Sequence, residues 1–270
     1  MNDGYIVRKI FEPVNWHFFS VQPLCSLCLC GELILGQTNH RDTENTEVAQ
    51  RVPNNVVEEV MEVQRSSAAE MRLVGGRLCL DFVNTVDGRK NDSSPLGDKL
   101  EDYSDLVAWS QHSGIVTQAE AARLIKESKQ KPATANTVLR RAIALREALH
   151  RIFKAAMMER APRSIDLETV NDELLKARKN ERLISTDEGF SWEWISGETA
   201  LDRMLWPVAQ SAAEFLSAGD FSRLRECGGE QCGWLFEDTS RNRSRQWCHM
   251  QDCGNLAKVR RFRTRLQSSI

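Results

Sequence analysis

Residues 227–253 have the sequence CGGEQCGWLFEDTSRNRSRQWCHMQDC, and the four cysteines in it decide the fold of the C-terminal part of the chain. Cys227 and Cys232 form one Cys-x4-Cys pair, Cys248 and Cys253 form a second, and fifteen residues separate the two. Four thiolates suit zinc, and a tetrahedral all-cysteine site has no open position for water or substrate. We therefore expect one structural Zn²⁺ ion held by these four residues.

Three alternatives remain open for these cysteines. His249 could replace Cys248 as a ligand, although neighbouring side chains of an extended segment point to opposite faces. The cysteines could be ordinary buried thiols, but the segment has few aliphatic residues, and zinc binding worth roughly 10 to 16 kcal/mol would offset that shortage. A disulfide framework is the third alternative, and without a convincing secretory signal a reducing cytoplasm and metal binding are favoured.

The residues around the cysteines predict a small treble-clef-like zinc finger over residues 222–267. Gly233 and Gly254 directly follow the second cysteine of each pair, where a tight turn often needs a positive φ. Residues 234–237 have the composition of a short strand, with residues 245–249 as its expected partner. Residues 255–267 contain no glycine or proline and place apolar side chains on one side of a predicted helix.

Basic residues are concentrated in this module. Between Thr239 and Arg265 the chain has eight Lys or Arg and one acid, a net charge of +7, whereas the whole chain has a net charge of −2. An extended backbone would point Arg241, Arg243 and Arg245 the same way. The helical repeat places three more cations within a sector of about 60°, roughly opposite the apolar side, and these are Lys258, Arg261 and Arg265.

This charge distribution predicts a surface that binds nucleic acid, because neutralising phosphates releases counterions and arginine contacts phosphate with two hydrogen bonds. DNA is the expected partner, and RNA stays open as a variant although the aromatic clusters of an RNP sheet are missing. Two other uses of the cations are open. They could screen the formal charge of a zinc tetrathiolate, or they could dock an acidic protein.

Two blocks of the chain resemble known families. The cysteine stretch, followed by Cys253-Gly-Asn and by KVRRFRTR at residues 258–265, resembles the bacterial CGNR zinc finger, with Leu256 where that family's tetrapeptide has arginine. Residues 75–86, GGRLCLDFVNTV, resemble the opening of the ABATE domain, which precedes this finger in the family. The resemblance, which covers about residues 73–265, implies a stress-induced bacterial transcription regulator, and the lack of a convincing secretory signal places it in the cytoplasm.

Periodicity predicts a mainly α domain with small β-hairpins over residues 70–220. Helices are expected over residues 102–113, 117–129, 137–159, 165–179 and 198–217. Thr117 opens the second with a capping-box pattern and Ser164 is expected to cap the fourth. The last helix is expected to be kinked or to start anew at Pro207. Residues 182–196 have the alternation of a hairpin.

Asp81 and Asn84 are the candidate ligand-binding residues of this domain. The alternative function is therefore a small-molecule-binding protein or an enzyme that uses these two residues, with the zinc finger purely structural. Asp and Asn often cap helices and turns, and their neighbours here have the composition of a core, which favours a structural role. Motifs for a serine nucleophile or a phosphate loop are absent from the sequence, so we predict no enzyme activity. Dimerisation of the domain is left open.

Residues 1–68 are expected to be a disordered leader, or to precede a translation start at Met61 or Met71. Cys25, Cys28 and Cys30 lack a fourth ligand at conventional spacing, so no second metal site is predicted. No apolar stretch approaches the ~20 residues of a membrane span.

Overall fold

The computed structural model describes residues 67–90, 95–195 and 200–267. All of these belong to one compact unit. The expected leader lies almost wholly outside the described residues, and so do Cys25, Cys28 and Cys30. Within the described residues, helices dominate and every sheet is a two-stranded antiparallel hairpin, which confirms the predicted fold class.

The helices are α1 (Leu78–Val83), α2 (Tyr103–His112), α3 (Gln118–Gln130), α4 (Pro132–Met157), α5 (Ser164–Lys179), α6 (Leu205–Ala218) and α7 (Asn255–Gln267). The strands are β1 (Val86–Asp87), β2 (Gly97–Asp98), β3 (Glu181–Thr186), β4 (Gly189–Trp194), β5 (Leu224–Glu226) and β6 (Leu235–Glu237). They pair as β1 with β2, β3 with β4 and β5 with β6. A 3₁₀ turn over Phe221–Arg223 leads into β5, and a π turn over Met250–Gly254 leads into α7.

Local sequence signals account for several helix ends. At the start of α3 the Thr117 hydroxyl accepts a hydrogen bond from Glu120 N at 3.3 Å while the Glu120 carboxylate accepts one from Thr117 N at 2.7 Å, as the capping-box pattern predicts. Ser164 is not a cap, because it is the first residue of α5 and the preceding Arg163 makes no side-chain cap. Helix α4 begins at Pro132, earlier than predicted, since proline fits the first helical position.

Helix α4 is the centre of the helical core. Leu145, Leu149 and Phe153 recur along one of its sides and are fully buried. Helices α1, α2, α3 and α5 pack against it, and Phe215 of α6 contacts Phe153. Pro207 lies in the first turn of α6, where it costs no helical hydrogen bond. The core reaches into the C-terminal module, because Leu224 of β5 and Leu235 of β6 belong to the same buried cluster.

The hairpin of the C-terminal module differs from the expected one. Strand β6 pairs with β5, with Leu224 opposite Glu237 and Glu226 opposite Leu235, whereas residues 245–249 form no strand. The partner strand thus precedes the first cysteine pair, and Cys227 and Cys232 lie in the connection between the two strands. That connection closes as Cys227 N donates to Trp234 O at 2.8 Å.

Candidate metal centre and basic helix

The four predicted zinc ligands come together at one point. The sulfur atoms of Cys227, Cys232, Cys248 and Cys253 all lie within 4.8 Å of one another. The Cys248 sulfur is 3.6 Å from the sulfurs of both Cys232 and Cys253. A tetrahedral zinc ion with Zn–S bonds of about 2.3 Å separates its sulfurs by about 3.8 Å. The cluster therefore has the size of a zinc tetrathiolate, and these four residues fit one structural zinc ion.

The chemistry of the sulfurs also fits a dication. Hydrogen bonding to Cys227 raises the pKa of Cys232 and Cys248, and burial raises the pKa of Cys253. Conversely, S–H donation from Cys232 and Cys248 holds the pKa of Cys227 far below its usual range. Without a cation the cluster therefore favours a single thiolate. Four thiolates this close require a positive charge among them, which Zn²⁺ supplies.

Backbone groups support this arrangement of sulfurs. The Cys227 sulfur accepts hydrogen bonds from Gly229 N at 3.4 Å and from Cys248 N at 3.3 Å. A Cβ at Gly229 would lie only 3.2 Å from the Cys253 sulfur, so any larger residue at this position would crowd the sulfur cluster. Gly233 has the predicted positive φ, 72°, whereas Gly254 does not have one because it ends the π turn.

His249 is not part of the ligand set. Its Nδ1 lies 3.1 Å from the carboxylate of Asp252, and its Nε2 lies 3.4 Å from the guanidinium of Arg72. Cys248 supplies the ligand atom in this segment, and His249 is directed elsewhere.

Asn84, one of the two candidate ligand-binding residues, holds the metal module to the helical domain. Its amide Nδ2 donates to Leu235 O and its Oδ1 accepts from Leu235 N, both at 2.8 Å. The side chain thus pairs with the free edge of β6 as a third strand would. Because Asn84 and Leu235 are both fully buried, water cannot replace either bond. These contacts favour the structural role for Asn84.

Other residues of the same block extend this contact. Gly75 O accepts from Glu237 N at 2.8 Å, on the same edge of β6. The guanidinium of Arg77 contacts the Glu237 carboxylate at 2.7 and 3.3 Å. The Trp234 indole donates to a backbone oxygen of β1 at 3.1 Å. We did not predict from the sequence that this block holds the finger to the helical domain. The one signal that could have indicated it is Asn84, an asparagine that directly follows an apolar helix.

Asp81 is also used within the protein. Its Oδ1 accepts a hydrogen bond from Gly75 N at 2.7 Å. This bond fixes the turn at Gly75, and the carbonyl of Gly75 in turn accepts from Glu237 N of β6. Burial raises the pKa of Asp81 to about 6, against the effect of the backbone N–H groups of Gly75 and Val74. The residue therefore shapes the docking segment, and its contacts favour a structural role.

The three arginines expected to point the same way do not do so, because residues 240–243 form a turn and Arg243 has a positive φ of 50°. Arg241 is exposed. Arg243 is directed to Ser222 Oγ at 2.8 Å and to Asp220 at 3.4 Å. Arg245 turns inward: it donates to the carbonyls of residues 74, 247 and 248, and its guanidinium lies 4.2 Å from the centre of the Phe236 ring.

Helix α7 has the predicted boundaries and carries the predicted cations on an exposed surface. Lys258, Arg261 and Arg265 are all exposed. Lys258 and Arg261, together with Arg241 and Arg263, have no ion-pair partner among the residues that the structure describes. Arg260 pairs with Glu230 at 2.9 Å. Helix α7 therefore presents cations that the described part of the protein does not neutralise.

The apolar side of α7 is exposed as well, which the sequence did not predict. Leu256, Val259 and Phe262 are 57%, 47% and 63% exposed. The helix packs mainly against the π turn that precedes it. A hydrophobic side that usually faces a core is here left to solvent.

The fold and the site define a zinc-finger protein in which a helical domain docks directly onto the finger. Comparison with family models gives the same division. Residues 76–219 match the ABATE family, described as "Putative stress-induced transcription regulator", and residues 223–266 match the CGNR zinc finger. The chain therefore belongs to the ABATE family and carries a CGNR zinc finger at its C-terminal end. A comparison with curated proteins found no match.

Neither family description names an enzyme activity. In the part of the chain that the structure describes, no helix is both long enough and apolar enough to cross a bilayer.

Proposed function

We propose that this protein is a DNA-binding transcription regulator of the bacterial cytoplasm, in which zinc fixes the finger and α7 supplies the contacts to phosphate. The observation that carries the proposal is the set of exposed cations on α7, of which Lys258, Arg261 and Arg263 have no ion-pair partner in the described residues. The family description supports the regulatory part of the proposal.

The zinc tetrathiolate does not account for these cations. Screening requires cations close to the sulfurs. Arg245 lies next to the cluster, because its guanidinium donates to the carbonyl of the ligand residue Cys248, whereas Arg72 pairs with Asp252 at 3.2 Å. Successive turns of α7 lead away from Cys253, so the exposed Lys258, Arg261 and Arg263, which have no ion-pair partner in the described residues, can contact an external polyanion. Two of the predicted contacts are used within the protein: Arg245 donates to backbone carbonyls, and Arg243 contacts Ser222 and Asp220.

A salt titration tests the proposal. The zinc-loaded full chain and its K258A/R261A/R265A variant would be titrated onto a fluorescent 24-bp duplex by anisotropy at several salt concentrations. Removing three phosphate contacts should lower the slope of log K against log salt by about 2 to 3 and weaken binding at least tenfold at low salt. RNA of the same sequence would be run beside the duplex.

A matched control removes the same charge from the helical domain. Lys126, Arg140 and Lys179 are exposed and lie on α3, α4 and α5. The K126A/R140A/K179A variant should keep the salt slope of the unmodified protein. Binding that is absent, independent of salt, or equally reduced in both variants contradicts a role for α7 in nucleic-acid binding.

A further inference from the structure

The two sides of α7 face different surroundings. Ala257, Arg260, Arg261 and Thr264 recur at three- and four-residue steps and line a groove of about 780 Å³ between the helix and the body of the protein. Val259 and Phe262 lie on the opposite side of the helix, by the 3.6-residue repeat. The apolar pair therefore points away from the described body of the protein.

Cations border this apolar pair on both flanks. The helical repeat places Lys258 and Arg265 on one side of Phe262 and Arg263 on the other side of Val259. Residues 255–267 contain five Lys or Arg and no acid. The outer side of α7 is thus a narrow apolar ridge with Lys258 and Arg265 on one flank and Arg263 on the other.

The charges around the apolar ridge determine which kind of partner can bind there. A second copy of α7 packed against the ridge would bring Lys258, Arg263 and Arg265 of both copies together with no acid in either helix to pair them, which opposes association. A single-stranded nucleic acid would need aromatic rings for successive bases, and α7 offers one, Phe262. A duplex has phosphates on both borders of its major groove, which is about 12 Å wide and accepts a helix of 10 to 12 Å diameter.

We infer that α7 enters the major groove of duplex DNA, with Val259 and Phe262 against the base edges and the flanking cations on the two phosphate backbones. This inference rests on the proposed function and adds to it the kind of base that is read. The apolar groups on the floor of the major groove are the C5 methyl groups of thymine. The ridge therefore favours A·T-rich sites through thymine methyl contacts.

The test changes the DNA and leaves the protein intact. Anisotropy titrations would compare an A·T-rich 24-bp duplex with the same duplex in which deoxyuridine, which lacks the C5 methyl group, replaces every thymidine. Each buried methyl group contributes roughly fourfold in affinity. Loss of one or two contacts should weaken binding of the unmodified protein about 4- to 15-fold, with an unchanged salt slope.

A neutral variant completes the test. V259S/F262S removes the ridge without altering charge, and it should bind both duplexes equally, at about the affinity that the unmodified protein has for the deoxyuridine duplex. The control is L183S/F190S, since Leu183 and Phe190 are 55% and 79% exposed on the β3–β4 hairpin. This control should retain the preference for thymidine.

Several outcomes overturn the inference. Equal affinity of the unmodified protein for the two duplexes would show that the ridge does not contact thymine methyl groups. A V259S/F262S variant that changes from dimer to monomer in sedimentation would assign the ridge to a second copy, and preferential binding of single strands would assign it to unpaired bases. If in any of these cases K258A/R261A/R265A still weakens binding to duplex, the proposed function stands and only the major-groove inference fails.

Discussion

At the scale of single residues, Asp81 carries a charge that the fold disfavours. It is 8% exposed, and burial raises the pKa of its carboxyl to about 6 from an ordinary value of 3.8. Its contribution to stability is therefore fully present below pH 3.8 and is lost as the pH rises through 6. At neutral pH the folded protein holds a buried carboxylate that is compensated in part by hydrogen bonds from the backbone of Val74 and Gly75 and by the electrostatic effect of Arg245.

The Asp81→Asn substitution should remove this pH dependence, because asparagine keeps the Oδ1 acceptor for Gly75 N and has no charge. Between pH 5 and pH 7.5 the free energy of unfolding of the unmodified protein, relative to D81N, should fall by about 1 kcal/mol. Urea unfolding of both proteins at these two pH values measures this difference, and the pH dependence of zinc binding cancels in it. A constant difference would show that Asp81 has an ordinary pKa.

At the scale of elements, the short loop after α1 and strand β6 depend on each other. Asn84 offers one donor and one acceptor to the backbone of Leu235, and both residues are buried. Leu235 lies opposite Glu226 of β5 in a pair whose backbone groups do not bond to each other, because the bonds across the hairpin are made by its neighbours, such as Trp234 O with Cys227 N. The N–H and C=O of Leu235 therefore face away from β5, and the Asn84 side chain supplies their partners.

Asn84→Ala should therefore lower the free energy of unfolding by about 2 to 4 kcal/mol, because it leaves the N–H and C=O of Leu235 buried without partners. Chemical denaturation monitored by circular dichroism gives this value. Asn171, exposed on α5, is the matched control, and Asn171→Ala should change stability by less than about 0.5 kcal/mol. Similar values for the two variants would mean that water satisfies Leu235 and that the contact does not hold the finger.

Some elements could be predicted from the sequence and others could not. Helix α7 has the predicted ends, and Thr117 caps α3 as predicted, because these depend on neighbours in the chain. The four cysteines assemble as predicted, since their spacing and chemistry suffice. The docking of β6 onto the helical domain and the inward turn of Arg245 were not predictable, because they depend on the distant residues 74, 75 and 84. The partner of β6 was predicted wrongly although β5 lies close in the chain, because residues 240–243 form a turn and residues 245–249 form no strand.

At the scale of the whole molecule, the finger is a part of the helical core. Leu224 and Leu235, which flank the first cysteine pair, are 2% and 0% exposed and belong to the same buried cluster as Leu149 of α4. Gly233 extends this closeness to the backbone, since a Cβ there would lie 2.5 Å from the backbone nitrogen of Lys90. Loss of zinc therefore should expose apolar surface of the helical domain as well as unfold the finger.

Zinc removal tests this coupling. We expect about one zinc per chain by plasma mass spectrometry. Chelation should lower the thermal midpoint of the helical signal at 222 nm by several degrees, because Leu224 and Leu235 would no longer pack on the helical core. Cys253→Ser should lack zinc and should not respond to chelator. Cys79→Ala is the control: burial raises the pKa of the Cys79 thiol to about 12, and the residue lies in α1 away from the cluster, so this variant should keep both zinc and the response.

Chelation of the Asn84→Ala variant shows which contacts couple the finger to the helical domain. If the contact between Asn84 and β6 transmits the effect, the midpoint shift on chelation should be smaller in this background than in the unmodified protein, because part of the cover is already loosened. A full-sized shift in N84A would mean that the apolar contacts of Leu224 and Leu235 suffice without the hydrogen bonds. A midpoint that does not respond to chelation in any zinc-bound protein would mean that the helical domain is stable without the finger, and the two would then be independent units.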